Sequence, residues 1–219
     1  MLTRVLEPEV MDSLEEAESY DQMDHETVNR QFVSDLLVAP VCGKVLDLGT
    51  GTARIAIELC RQQDNCQVLA MDAATNMLEI ARLNVAVAGF EYCIELRQGD
   101  AKSIPLNNDT CDLVISNSLI HHLPEPSISL AEMLRVLRPG GRLFVRDLLR
   151  PESAEQVEHL VRLYCCEEPE SNQQLLRQSL FAALDLREIQ EMAQALGFPT
   201  ECVTITSDRH WTLDAVKQS

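Results

Sequence analysis

From residue 44 onward, short runs rich in Val, Leu and Ile alternate with longer segments whose apolar positions recur at helical spacing. The pattern predicts strands at 44–49, 67–72, 91–98, 111–117 and 142–147. Helices are expected at 53–62, from the mid-seventies through Ala88, and at 130–137, where Pro139-Gly140-Gly141 reads as the stop. Strands separated by helices imply a parallel sheet with right-handed crossovers. Two segments fall outside this series. The first 40 residues read as two helices broken around 20–24, and 152–183 as a helical insertion. Asp185 and Glu188 give a capping signal for a helix ending near Gly197, and 201–206 with Trp211 onward reads as a closing hairpin.

Composition narrows the function classes. An apolar fraction of 46% over 219 residues supplies a core and excludes disorder as the main state. Thirty-five acids against 18 Lys and Arg leave a net charge of -17, which repels phosphate backbones and anionic lipid. No run approaches the roughly 18 apolar residues of a spanning helix. No nucleic-acid or membrane partner is therefore expected. The first ten residues lack a long apolar stretch and a small-residue cleavage site, so a cytoplasmic location is expected. The eight cysteines form no CxxC pair and read as reduced and mostly buried. Cys165-Cys166 lacks the four spaced ligands of a structural zinc site, so no metal is expected.

Chemistry concentrates in Val45-Leu-Asp-Leu-Gly-Thr-Gly-Thr52, where Gly49 and Gly51 sit at a strand-to-helix turn and let a ligand approach the backbone. Arg54 stands where a dinucleotide fingerprint needs its third glycine, and Asp47 sets a carboxylate where pyrophosphate would lie. A cationic ligand fits better, and S-adenosylmethionine (SAM) carries a sulfonium and an ammonium. Asp72 ends the second strand as an acceptor for ribose hydroxyls. Asp100 and Ala101 follow the third strand, where an adenine edge could be read, and Asn117 and Ser118 end the fourth.

Through these residues, with Leu137-Arg-Pro-Gly-Gly141, the chain resembles the class I SAM-dependent methyltransferases over about 44–148. The resemblance implies an α/β, Rossmann-like seven-stranded sheet of order 3-2-1-4-5-7-6 with strand 7 antiparallel. It implies one methyltransferase domain over 1–219, comprising a helical lid (1–40), a SAM-binding core (41–148), a helical insertion (149–183) and a closing helix and hairpin (184–219). It places Asp47, Gly49 and Gly51 at the methionine side of the cofactor, Asp72 at the ribose, Asp100 and Ala101 at adenine and Asn117 near the sulfonium. Thr50, Ala73 and Met77 join them as cofactor-binding residues. Ala53 and Ala74 depart from a frequent glycine and a frequent serine cap.

Methyl transfer is an in-line displacement, so alignment can supply much of the acceleration and a base is needed only where the acceptor keeps a proton. His121 and His122, on the loop leaving the fourth strand, are candidates to orient or deprotonate an acceptor, and adjacent histidines on a regular element should face apart. Tyr20, with Asp24 and His25, marks either a lid or a packed helix pair. Arg146-Asp147 is a further polar end, and Arg209 and His210 read as a surface turn. The expected reaction is methylation of a small-molecule acceptor. Alternatives are a quinone-pathway carbon methyltransferase, favoured by apolar Leu160, Val161, Leu163 and Leu180, a SAM-binding protein without turnover, and a nucleotide-dependent oxidoreductase, against which Asp47 and Arg54 count.

Overall fold

A computed structural model of the chain describes residues 2–7, 13–23, 26–41 and 43–218. Those residues form two compact units. One holds 13–23, 26–41, 43–117, 128–145 and 215–218, and the other 2–7, 118–127 and 146–214.

The first unit begins with α1 (Leu14–Gln22) and α2 (Glu26–Leu36). Helix α1 runs on to Gln22, three residues into the expected break, and Asp24 and His25 lie outside the described residues, as does Cys42. Strand β1 (Gly43–Leu48) is buried from Val45 to Leu48, the signature of a strand covered on both faces. It pairs in parallel with β2 (Cys66–Asp72), Val45 opposite Val68, and with β4 (Cys111–Asn117), Asp47 opposite Ile115. Between β1 and β2, α3 (Arg54–Gln62) turns Ala56, Ile57, Leu59 and Cys60 inward. Helix α4 (Thr75–Ala88) ends at Gly89, whose φ of 77° supplies the left-handed cap. Strand β3 (Ile94–Gln98) starts three residues later than the pattern suggests, because the amides of Cys93 and Ile94 both donate to Phe90 O in a turn. Phe32, Leu36, Val45, Leu59, Leu113 and Phe144 share one core, with Phe32 edge-on to Phe144.

Helix α5 (Pro126–Val136) starts four residues before the expected position, with Pro126 in its first turn where the missing N–H costs nothing. The sequence reading of Pro139-Gly140-Gly141 as a helix stop is corrected. These residues lie inside β5 (Leu137–Leu148), which follows Val136 directly. Gly140 N–H donates to Lys217 O at 2.8 Å and Lys217 N–H to Gly141 O at 2.9 Å, so this end of β5 is laddered with a segment far away in sequence.

In the second unit, α6 (Ala154–Cys165) and α7 (Glu170–Ala182) occupy the expected insertion. Leu160, Val161 and Leu180 are buried in that unit's own core with Val157 and Ala183, while Leu163 is exposed, so these leucines and Val161 do not form an apolar lid. Helix α8 (Leu186–Ala195) carries the capping box of Asp185 and Glu188 in full. Thr200–Cys202 is a 3-10 turn rather than strand, leaving β6 (Val203–Ile205) short. It pairs antiparallel with β7 (His210–Val216), Ile205 opposite Trp211. Of the expected surface turn, Arg209 precedes the strand with its guanidinium over the Tyr164 ring, whereas His210 is corrected to the first residue of β7, half-buried. Strand order is β3-β2-β1-β4-β5-β7-β6, as the resemblance implied.

Candidate functional site

In the first unit the turn after β1 is built by three left-handed residues, Gly49 (φ 74°), Gly51 (φ 55°) and Ala53 (φ 63°). Its amides are turned inward, with Gly49 and Thr50 N–H both donating to Met71 O. Ala53 holds a conformation that costs an L-residue roughly 1–2 kcal/mol, which explains why glycine is the usual choice at such a position. Gly51→Ala is expected to destabilise the chain by about 1–2 kcal/mol in chemical denaturation for the same reason. Steric clash adds nothing, since a methyl there meets only Tyr20 Cε1, at 3.8 Å. An unchanged midpoint would show that the turn relaxes.

Acids gather around this turn. Asp47 is 2% exposed and accepts from Thr50 Oγ1 at 2.7 Å, and among the described residues no basic side chain pairs with it. Burial, offset only partly by the Thr50 hydrogen bond, and the nearby charge of Asp72 push its carboxyl up to about 7. Asp72 accepts from Gly51 N–H at 2.7 Å and Ala74 N–H at 2.9 Å, one on each oxygen. Ala73 is exposed, its carbonyl taken by Gln98 Nε2. Met77 lies in an apolar cluster with Ala17, Ala74 and Tyr20 and forms a wall rather than a polar contact.

Tyr20 sits against Gly51. Its phenol is pushed up to about 12 by burial and by Asp72, Asp21 and Asp47, which suits a hydrogen-bond donor and not a base. Helix α1 is tied down through Asp21, an acid of the 20–25 segment whose partner the sequence did not show. Arg54 grips Asp21 bidentately at 2.9 and 2.7 Å, and Asn84 Nδ2 bridges Asp21 Oδ1 and Thr52 O. A cavity of about 410 Å³ lined by Tyr20, Asp21, Asn29, Thr52 and Arg54 opens beside the turn.

At the end of β3, Asp100 is exposed and held below the usual carboxylate range by the Lys102 amide and ammonium. Ala101 is buried, its carbonyl anchored by Ser129 Oγ at 2.7 Å. Asn117, half-buried, closes β4. All ten cofactor candidates thus fall in one unit, at the carboxyl ends of β1 to β4. The donor set fits a ligand with positive charge and ribose hydroxyls, because the buried Asp47 pairs with no basic side chain among the described residues and the Asp72 carboxylate stands beside the same turn.

His121 and His122 fall in the second unit, on a 3-10 turn at Ile120–His122. The expectation that they face apart is corrected, because this turn is not a regular strand or α-helix. Their rings lie 4.1 Å apart at 34°, and both approach Glu7, another residue the sequence did not flag. His121 is 3% exposed, with Nδ1 2.5 Å from Asp147 Oδ1. Burial alone would lower its pKa, but the Asp147 charge and hydrogen bond, with Glu7, carry it above the usual value.

Residues 46–145 match a family described as a methyltransferase domain. The chain is 36% identical over 122 residues to a ubiquinone/menaquinone biosynthesis C-methyltransferase of Desulfotalea psychrophila, covering 56% of this chain and 48% of that one. It is 33% identical over 162 residues to a demethylmenaquinone methyltransferase of Chlamydia muridarum, covering 71% and 67%. The chain spans about half the length of relatives such as the first. In fold it is similar to a structure from Methanococcus maripaludis, with a TM-score of 0.71, 18% identity and 98% of both chains covered. The [4+2]-cyclase SpnF has the same fold, with a TM-score of 0.59, 17% identity, and 86% and 80% covered.

Proposed function

The chain belongs to the class I SAM-dependent methyltransferases, and from that footing we propose that it methylates a small-molecule acceptor. The observation that carries the reading is Asp47, a buried carboxylate beside a glycine turn, with no basic side chain paired to it among the described residues. When bound, SAM supplies an electrophilic methyl group that a nucleophile takes by in-line displacement, leaving S-adenosylhomocysteine. In this proposal Asp47, Gly49, Thr50 and Gly51 receive the methionine end, Asp72 and Ala73 the ribose, and Asp100 and Ala101 the adenine. Met77 forms the apolar wall, and Asn117 stands nearest the reacting centre. Tyr20 covers the turn. Tyr20, His121 and His122 enter as positioning residues, since a phenol held near 12 is a poor base and His121 is buried with one ring nitrogen on Asp147 and the other facing Glu7.

Quinone-pathway carbon methylation is the acceptor class that the relatives' names favour. Leu160, Val161 and Leu180 no longer argue for it, being spent on the core of their own unit. No described helix is long and apolar enough to cross a membrane, and a cytoplasmic location with no nucleic-acid partner is part of the proposal. The discriminating experiment is incubation of the chain with methyl-labelled SAM and either a demethylated quinol or a metabolite extract. Label in a small molecule supports the proposal. S-adenosylhomocysteine binding without label transfer identifies a SAM binder and overturns it.

Asp72→Ala should weaken SAM at least about tenfold by calorimetry, since one charge-assisted hydrogen bond is worth about 1.5–3 kcal/mol and roughly 1.4 kcal/mol is a factor of ten. An unchanged dissociation constant in a folded variant removes Asp72 from the site.

A further inference from the structure

Outside the cofactor site, the second unit brings together the one group of three ligand-capable side chains found among the described residues: Glu7, His121 and His122, whose donor atoms lie within 4.8 Å of one another. We propose that this group binds a divalent transition-metal ion of the zinc type through Glu7 Oε1, His121 Nε2 and His122 Nδ1.

The spacing from Glu7 to each imidazole is that of ligands around one ion. Bonds of about 2.0 Å at near-tetrahedral angles set neighbouring ligand atoms about 3.3 Å apart. Glu7 Oε1 is 3.4 Å from His121 Nε2 and 3.0 Å from His122 Nδ1. Direction argues the same way. His122 Nδ1 is sealed from solvent and lies 3.0 Å from Glu7 Oε1, off the line of a well-aligned hydrogen bond. A ring nitrogen that points beside a neighbouring oxygen, not at it, is aimed where a shared ion would sit.

The surroundings are those of a metal-ligating histidine. Such a histidine donates its other ring nitrogen to a carboxylate that fixes tautomer and orientation. Asp147 Oδ1 holds His121 Nδ1 at 2.5 Å. Asp147 is itself fixed by the amides of Ile120, His121 and Leu148, at 2.5, 3.3 and 2.6 Å. Ser179 Oγ reaches both Glu7 oxygens at 3.3 Å. Arg4 turns its guanidinium to the carbonyls of His121, Leu123 and Ala182, leaving the Glu7 carboxylate for another cation. Two imidazoles and one carboxylate suit zinc-like ions. Calcium and magnesium take oxygen ligands, and the three groups leave a fourth position open. The ion would also join residues 2–7 to the turn at 120–122.

The test is titration of the chelator-treated full chain with Co²⁺, read by visible absorption, and with Zn²⁺, read by calorimetry and thermal unfolding. One equivalent with a four-coordinate, thiolate-free Co²⁺ spectrum, displaced by Zn²⁺, is expected. Glu7→Gln and His122→Gln, each shown folded by circular dichroism, should weaken Co²⁺ at least about 100-fold and abolish the Zn²⁺-induced rise in Tm. Should one variant fail to fold, the other carries the comparison. No stoichiometric uptake by the wild type, a thiolate charge-transfer band, or equal uptake by the folded variants overturns the proposal. None of these readouts depends on SAM binding or methyl transfer.

Discussion

Asp47→Asn is expected to make the ligand-free chain more stable at pH 8 while weakening SAM by about 10- to 150-fold, the equivalent of one charge-assisted hydrogen bond. The folded carboxyl titrates near 7, against about 3.9 in the unfolded chain. Between those values the folded state holds a proton that the unfolded state has lost, so stability falls as pH rises through this window and is lowest above 7. Three units at about 1.36 kcal/mol each put the loss on the order of 4 kcal/mol. Asparagine carries none of it, so the advantage of the variant should fade towards pH 4. Wild-type SAM affinity should fall by up to about tenfold per pH unit below 7, where Asp47 must give up a proton to meet a cation. Paired denaturation and calorimetry at pH 5, 6, 7 and 8 check both halves. A variant no more stable at pH 8, or one with wild-type affinity, sinks the assignment.

Arg150→Met should lower stability by about 3 kcal/mol, at the low end of the cost of breaking a buried ion pair. The Arg150 side chain is 4% exposed, donates to Ala183 O and Asp185 Oδ2 at 3.0 and 2.9 Å, and lies 3.1 Å from Glu188 Oε2. Its removal leaves the capping-box acids of α8 without their cation. At about 2–4 °C per kcal/mol for a chain of this size, Tm should drop by roughly 6–12 °C. Adding Asp185→Asn should restore part of it. A shift under about 2 °C would mean that solvent at Glu188 already compensates.

Local pattern made most of the βα series legible. β4 begins and ends as read, and β1, β2 and α3 differ from their sequence readings by a single residue at one or both ends, because each is announced by its own apolar period and its own turn residues. Sequence reading failed where the deciding partner was remote. Gly140-Gly141 looks like a helix stop until Lys217 is laid beside it, and Glu7 looks like an ordinary acid until the 3-10 turn turns two imidazoles towards it. The glycine turn with its acids, Asp47 and Asp72, could be read because loop and ligand chemistry share one stretch of chain. Asp21 could not, because its meaning rests on Arg54, 33 residues on.

The place of β7 bears on how the chain is made. It is the last of the described strands yet lies between β5 and β6, so during synthesis the other six leave the ribosome before the one that covers the far edge of β5. Until then β5 presents an open row of amides and carbonyls, and the site that Trp211 fills with no solvent exposure is without its ring. Such an intermediate offers a template to any neighbouring extended chain. Yield from expression should therefore respond to elongation rate and chaperone supply more than the stability of the finished protein would suggest.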